Sequence, residues 1–294
     1  MDAWPHRRLS RGQAAGYAAY ALAGVLLFCQ SWRLPGGMRV PPAVVPLFLY
    51  VAVTIAASFY PSWSWFLPIV CHGSRDRRAI ALSFDDGPDP ATTLRVLELL
   101  ARHGVKAAFF VVGQSAQAHP ELVQRISEQG HEIGNHSMSH DYLLMLSTTR
   151  HLEAEIAACQ ATLLGLGIRP LAFRPPVGIT NPRLPLVLDK LELGCICFSC
   201  RPLDFGNRRV HGLSDKVLAS ARPGDIVLLH DVTPDPGVSV ETWLGEIEKV
   251  VVGLRERGFE LVALSELIGL PLMAPRDAVA AVVARPAPAP AGGA

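Results

Sequence analysis

A chain of 294 residues can bury one large core with appendages, and its 27 Lys+Arg against 26 Asp+Glu leave a formal charge of +1. That balance, with no basic block interleaved with aromatics, argues against nucleic acid as a partner. Hydrophobic residues make up 50% of the chain, high for a soluble protein, and the excess sits in the first 70 residues.

Residues 1–12 are a short basic segment carrying Arg7, Arg8 and Arg11. Residues 13–32 then run without a charge, long enough for a bilayer core that needs about 20 apolar residues; a signal peptide is the alternative. A second apolar stretch follows, clearest over 44–60, with Pro46 and Pro61 near its ends. Trp63, Trp65 and Phe66 stand just beyond it, where an interfacial aromatic belt would lie. Residues 13–70 therefore read as a membrane anchor of two transmembrane helices. Arginines flank it on every side: Arg7, Arg8 and Arg11 before, Arg33 and Arg39 between, Arg75, Arg77 and Arg78 after. This pattern favours both ends inside, with the portion after Arg78 on the cytoplasmic face rather than the periplasmic one, at a bacterial inner membrane.

From Arg75 the pattern changes to short apolar runs alternating with amphipathic segments. Strands are expected at 80–84, 107–112, 131–134, 171–173, 195–199, 225–229 and 260–263. Helices are expected at 92–103, 120–129, 148–166, 182–191, 212–221 and 239–257, several closed by glycines such as Gly104, Gly130, Gly167 and Gly258. Such a series over 75–270 predicts a parallel α/β barrel. The glycine-rich phosphate loop of an open nucleotide-binding sheet is absent. Residues 274–294 are rich in Ala, Pro and Gly and read as a disordered tail. The six cysteines, Cys29, Cys71, Cys159, Cys195, Cys197 and Cys200, show no zinc-site spacing and read as buried free thiols.

In a parallel barrel, chemistry gathers at the C-terminal ends of the strands. The first strand ends on Asp85 and Asp86, with Gly87-Pro88 turning the chain away. Two adjacent carboxylates repel, so a metal, an arginine or a shared proton has to compensate them. Later strand ends carry His136 and His140, then Arg174, then Asp204, then His230 and Asp231. One helical turn would place His136 and His140 on one face. With Asp86 they make a two-histidine, one-carboxylate donor set open to water and substrate. Zn²⁺ is the default divalent ion for such a set; Co²⁺, Mn²⁺ or Ni²⁺ could use the same ligands.

The segments Ser-Phe-Asp-Asp-Gly-Pro (83–88), His-Ser-Met-Ser-His (136–140), Arg-Pro-Pro-Val-Gly (174–178), Asp204 and Leu-Leu-His-Asp (228–231) resemble, in order, the motifs of the polysaccharide deacetylase family. These are the NodB-homology enzymes of carbohydrate esterase family 4. The resemblance covers roughly 78–268 and implies a distorted (β/α)7-type barrel, preceded here by the two transmembrane helices. It implies that Asp86, His136 and His140 hold the metal and that Asp85 is the general base, aimed by Arg174. It further implies that His230 is the general acid, held by Asp204, and that the Val177 N–H stabilises the oxyanion. The implied reaction removes an N-acyl group, acetyl above all, from an amino sugar in a polysaccharide or a lipid-linked glycan at the membrane. Deformylation of a lipid-linked sugar, or a catalytically inert carbohydrate binder, are the alternatives. The chain departs from the family pattern in Ser83 for a more usual Thr, Val177 for an aromatic and Phe205 for Trp. Asp231 reads as structural, Trp243 as core, and His103, His119 and His151 as surface or cap residues.

Overall fold

The structure, a computed structural model, describes residues 10–31, 44–275 and 279. The basic residues of 1–9, Arg33, Arg39 and almost all of the 274–294 tail lie outside the described residues. Eight strands are formed: β1 (Ile69–Val70), β2 (Ala79–Asp85), β3 (Ala108–Val111), β4 (Glu132–Asn135), β5 (Ala172–Phe173), β6 (Gly194–Ile196), β7 (Ile226–His230) and β8 (Glu260–Leu261). Ten α-helices are described: α1 (Arg11–Ser31), α2 (Val44–Ser58), α3 (Thr93–Arg102), α4 (Gly113–Ala118), α5 (Pro120–Glu128), α6 (Thr149–Gly165), α7 (Leu184–Leu191), α8 (Leu213–Ser220), α9 (Val240–Glu256) and α10 (Leu264–Ile268).

Every strand pairing is parallel, in the order β1-β6-β5-β4-β3-β2-β7, with β8 on the first residues of β2. β2 is buried along its whole length because it has neighbours on both sides. Its residues alternate, as a strand's must. Ile80, Leu82 and Phe84 pack outward with α3 and α9 residues such as Leu97 and Trp243. Ala81 faces the interior with Ala108, Phe110 and Ile226. Ser83 and Asp85 continue that inward series. Small inward residues leave room at the top of the sheet, and the polar side chains occupy it.

The sheet curves into a half-barrel. Between β6 and β7 the closure consists of bonds from Ser199 and Cys200 to Ile226 and from Leu228 to Cys200. The glycines after α3, α5, α6 and α9 sit at φ of 59°, 75°, 76° and 76°, the left-handed geometry of a helix C-terminal cap. The six helices expected between strands are all present, within two residues of the ranges read from periodicity. Cys71, Cys159, Cys195, Cys197 and Cys200 are buried free thiols.

Two expectations are corrected. Among the described residues no helix is long and apolar enough to cross a membrane. α2 has 15 residues, about 22 Å of helix against a hydrocarbon core of about 30 Å. α1 is carried largely by alanine and glycine, interrupted by Gln13, Tyr17 and Tyr20. The two transmembrane helices, and the inner-membrane location deduced from them, are therefore not supported. Trp65 and Phe66 form no interfacial belt either: Phe66 is buried with Leu144, Phe173 and Leu188, and the Trp65 indole donates to Thr54 Oγ1 at 3.3 Å. The α1–α2 pair is tied to the body by Gly12 N–H to the Trp65 carbonyl (2.6 Å) and Thr180 N–H to the Ser58 carbonyl (3.0 Å). In addition, the apolar run that follows α2 hides a strand, β1, that pairs with β6.

Candidate active site

At the C-terminal end of the sheet a cavity of about 320 Å³ is lined by Asp85, Asp86, His136, His140, Val177, Asp204 and His230. Of the residues singled out at the strand ends, all but Asp231 face this cavity or, like Arg174, support it from beneath. β2 delivers Asp85 in register with His230 of β7. Asp86 follows at φ 74°, a left-handed residue, and its carboxylate reaches the same cavity as that of Asp85.

Arg174, fully buried, is the keystone of the floor. One guanidinium nitrogen donates to Asp85 Oδ1 at 2.6 Å and to Ser83 Oγ at 2.8 Å, and a second donates to the Cys197 carbonyl at 3.1 Å. The Phe110 ring lies 3.8 Å below the guanidinium carbon. Ser83 in turn donates to the Val227 carbonyl at 2.9 Å. A guanidinium in such a place fixes the carboxylate's orientation by a charge-assisted hydrogen bond. Arg174 also sets the state of His136. Its carbonyl lies 2.8 Å from His136 Nδ1 and can only accept, so Nδ1 carries a proton and Nε2 is the ring nitrogen turned to the cavity.

His136 Nε2 faces Asp86. Asp86 Oδ1 lies 3.3 Å from His136 Nε2 and 3.1 Å from His140 Nε2. One donor atom from each of the three residues falls within 4.8 Å of the other two. Burial opposes ionisation of Asp86, yet the hydrogen bond and charge of His136, with His140 behind, hold the carboxyl well below its usual range. Burial and the neighbouring His136 push His140 down, towards the neutral imidazole. A carboxylate beside two imidazole nitrogens is the donor set a divalent cation takes, so these residues fit a metal site. The helical turn expected over 136–140 is absent. Ser137 and His140 have φ of 67° and 53°, so a tight turn, braced by Ser137 Oγ accepting from the His140 N–H, brings the rings together.

Across the cavity His230 Nδ1 lies 2.8 Å from Asp204 Oδ2. Burial works against the imidazolium, but the bond and charge of Asp204, with Asp86 and Asp85 beyond, raise its pKa to about 9. Asp204 itself is buried on an irregular connection. Asp231 is structural in the way its position implied. It accepts from Thr92 and Thr93 at 2.8 and 2.6 Å, and burial raises its pKa to about 7 against those two bonds. Trp243 is core, its indole donating to Asn207.

Sequence reasoning missed the cavity wall. Tyr142, Phe198, Arg201, Leu203 and Arg208 line it beside Val177 and Phe205. Val177, Leu203 and Phe205 all have positive φ. Exposed apolar residues in left-handed geometry carry no periodic signal; the departures at 177 and 205 were the only hint.

The family model described as polysaccharide deacetylase matches residues 72–196. A peptidoglycan-N-acetylglucosamine deacetylase of Bacillus cereus is 35% identical over 195 residues, covering 66% of this chain and 89% of that protein. One from Listeria monocytogenes is 35% identical over 237 residues, covering 81% of this chain, which spans only 48% of that protein's length. Among solved structures, the peptidoglycan deacetylase PdaC from Bacillus subtilis superposes with a TM-score of 0.57 at 31% identity, covering 66% of this chain and 91% of that one.

Proposed function

The chain belongs to the polysaccharide deacetylase family, and we propose that it hydrolyses the acetamide of an N-acetylated amino sugar within a glycan. The observation that carries this reading is the convergence of Asp86, His136 and His140 beside the Asp85–Arg174 pair and opposite His230–Asp204. We read the substrate as glycan rather than lipid-linked sugar because the relatives' names specify peptidoglycan.

Asp86, His136 and His140 would hold a divalent cation, Zn²⁺ by default for this donor set, with Co²⁺, Mn²⁺ or Ni²⁺ able to use the same ligands. When bound, the ion supplies Lewis acidity at the amide carbonyl and lowers the pKa of a neighbouring water towards about 7. Asp85 has Oδ1 committed to Arg174 and leaves Oδ2 to take the proton of the attacking water. As the carbonyl carbon becomes tetrahedral, the Val177 N–H donates to the oxygen that gains charge. His230, with Nδ1 held by Asp204, uses Nε2 to protonate the departing nitrogen. Water's oxygen ends in acetate and the sugar keeps a free amine. The proton gained by Asp85 and the one lost by His230 balance through solvent.

The test is acetate release from an N-acetylglucosamine oligomer, matched by an equal count of free amines. Asp85→Asn keeps an acceptor for Arg174 but no base, so turnover falls on the order of 10³-fold while metal content, by elemental analysis, is unchanged. Full activity in that variant would remove Asp85 from the mechanism.

A further inference from the structure

Three carboxylates line the cavity, and each has its counterpart: Asp85 has Arg174, Asp86 faces two imidazoles, and Asp204 has His230. Two cations, Arg201 and Arg208, line it with no acidic partner among the described residues. Among other exposed arginines, Arg77, Arg95, Arg102 and Arg169 are each set against a glutamate, while Arg78 and Arg257 donate to backbone carbonyls. The chain as a whole carries a formal charge of only +1, so this wall is no outcrop of a generally basic surface.

The segment that presents them is fixed. Leu203, Phe205 and Asn207 take φ of 57°, 54° and 62°, which an unsupported loop of such residues would leave. Support comes from several directions. The Asp204 carbonyl accepts from the Arg209 N–H at 2.9 Å. Asn207 Nδ2 donates to the His230 and Val232 carbonyls at 3.1 and 2.7 Å, and the Trp243 indole donates to Asn207 Oδ1 at 3.0 Å. Arg201 also rests near the Phe198 ring, 5.9 Å from its centroid. The arginines therefore stand on a scaffold tied directly to His230.

We propose that Arg201 and Arg208 are specificity residues that receive an anionic group, a carboxylate or a phosphate, on the sugar beside the one deacetylated. This rests on the deacetylase reading above. A neutral N-acetylglucosamine chain gives two unpaired guanidiniums nothing to hold, whereas a planar fork of N–H donors matches carboxylate and phosphate oxygens. Complementary charge of this kind sets which substrate is preferred more than how fast the bond breaks.

The full-length, metal-loaded protein is assayed on four oligosaccharides of equal length. These are a neutral N-acetylglucosamine oligomer, one whose alternate sugars carry a lactyl carboxylate, the methyl ester of that oligomer, and one carrying 6-phosphates. Each exposed ion pair is worth up to about fivefold, so the favoured anionic oligomer should exceed the neutral one several-fold in kcat/KM. Preference for the carboxylated or the phosphorylated oligomer identifies the source of the anion. Arg201→Gln and Arg208→Gln should each shrink that preference about threefold to fivefold, through KM rather than kcat, with lysine at either position restoring part of it. Equal kcat/KM on all four oligomers, or a preference that survives both substitutions, overturns the proposal. Acetate release from the neutral oligomer reports on the deacetylase reading separately. If no oligomer is hydrolysed, calorimetric binding of the two anionic oligomers to wild type and to the double variant decides the inference. Unchanged affinity counts against it, and a loss in the double variant supports it.

Discussion

On the cavity floor Asp85 is 4% exposed and Arg174 is wholly buried, while on the wall Leu203 and Phe205 are 48% and 55% exposed. The floor residues come from the ends of β2, β5 and β7, or from turns that immediately follow β2 and β4. The wall comes from irregular backbone after β5 and β6, where Val177, Leu203 and Phe205 hold left-handed geometry. On the floor a displaced charge would be left buried and unpaired, and each carboxylate there has a basic side chain beside it. The wall meets solvent and can change at small energetic cost. Reaction type is thereby assigned to the part that cannot drift, and substrate choice to the part that can.

The sharpest way to break that contrast is to remove the keystone. Arg174→Ala leaves the Asp85 carboxylate buried without a counter-charge and strips Ser83 Oγ and the Cys197 carbonyl of a donor. Stability should fall by about 3–5 kcal/mol, the usual consequence of halving a buried ion pair, seen as a lower urea midpoint. A loss under 1 kcal/mol would show that the floor is no more constrained than the wall.

The Asp204–His230 pair lies between the two regions and offers a titration of the boundary. Folding raises His230 to a pKa of about 9, so the imidazolium persists below that pH and its contribution to stability is lost as pH rises through about 9. A general acid there sets the alkaline limb of the kcat/KM profile. Asp204→Asn removes the charge that outweighs burial, and the limb should move down by about 1–3 pH units. An unmoved limb would assign the acid to another group.

What could be read from sequence follows the same division. Asp85, Asp86, His136, His140 and His230 were legible because a two-period strand ending on chemistry-bearing residues restricts both position and type. Arg174 was legible for the same reason, but its seat was not. Ser83 looks like any small inward residue until the guanidinium is seen resting on it. The H-x3-H spacing correctly paired two imidazoles and wrongly suggested a helix, since spacing does not report φ at Ser137. The N-terminal stretch misled because apolarity counts side chains without knowing their partners. Phe66 is apolar because it packs with Phe173 and Leu188. Along the wall, nothing in Leu203 or Phe205 announces a positive φ; glycine does, as at Gly178 and Gly206.

Phe205→Ala tests the wall at its least costly point. The side chain is 55% exposed, and its recorded ring contact is the Arg209 guanidinium, 5.1 Å from the centroid. Its backbone strain belongs to the φ of 54°, which alanine would inherit unchanged. Truncation therefore removes little that folding depends on, and the urea midpoint should shift by less than about 0.5 kcal/mol. The ring also lines the cavity, where an apolar face can lie against the C–H face of a sugar. KM for the N-acetylglucosamine oligomer should rise several-fold while kcat moves less, because the base, the acid and the donor set all lie elsewhere. A kcat loss as large as that of Asp85→Asn would mean that the wall takes part in the chemistry. A large stability loss would mean that Phe205 supports the fold rather than the substrate.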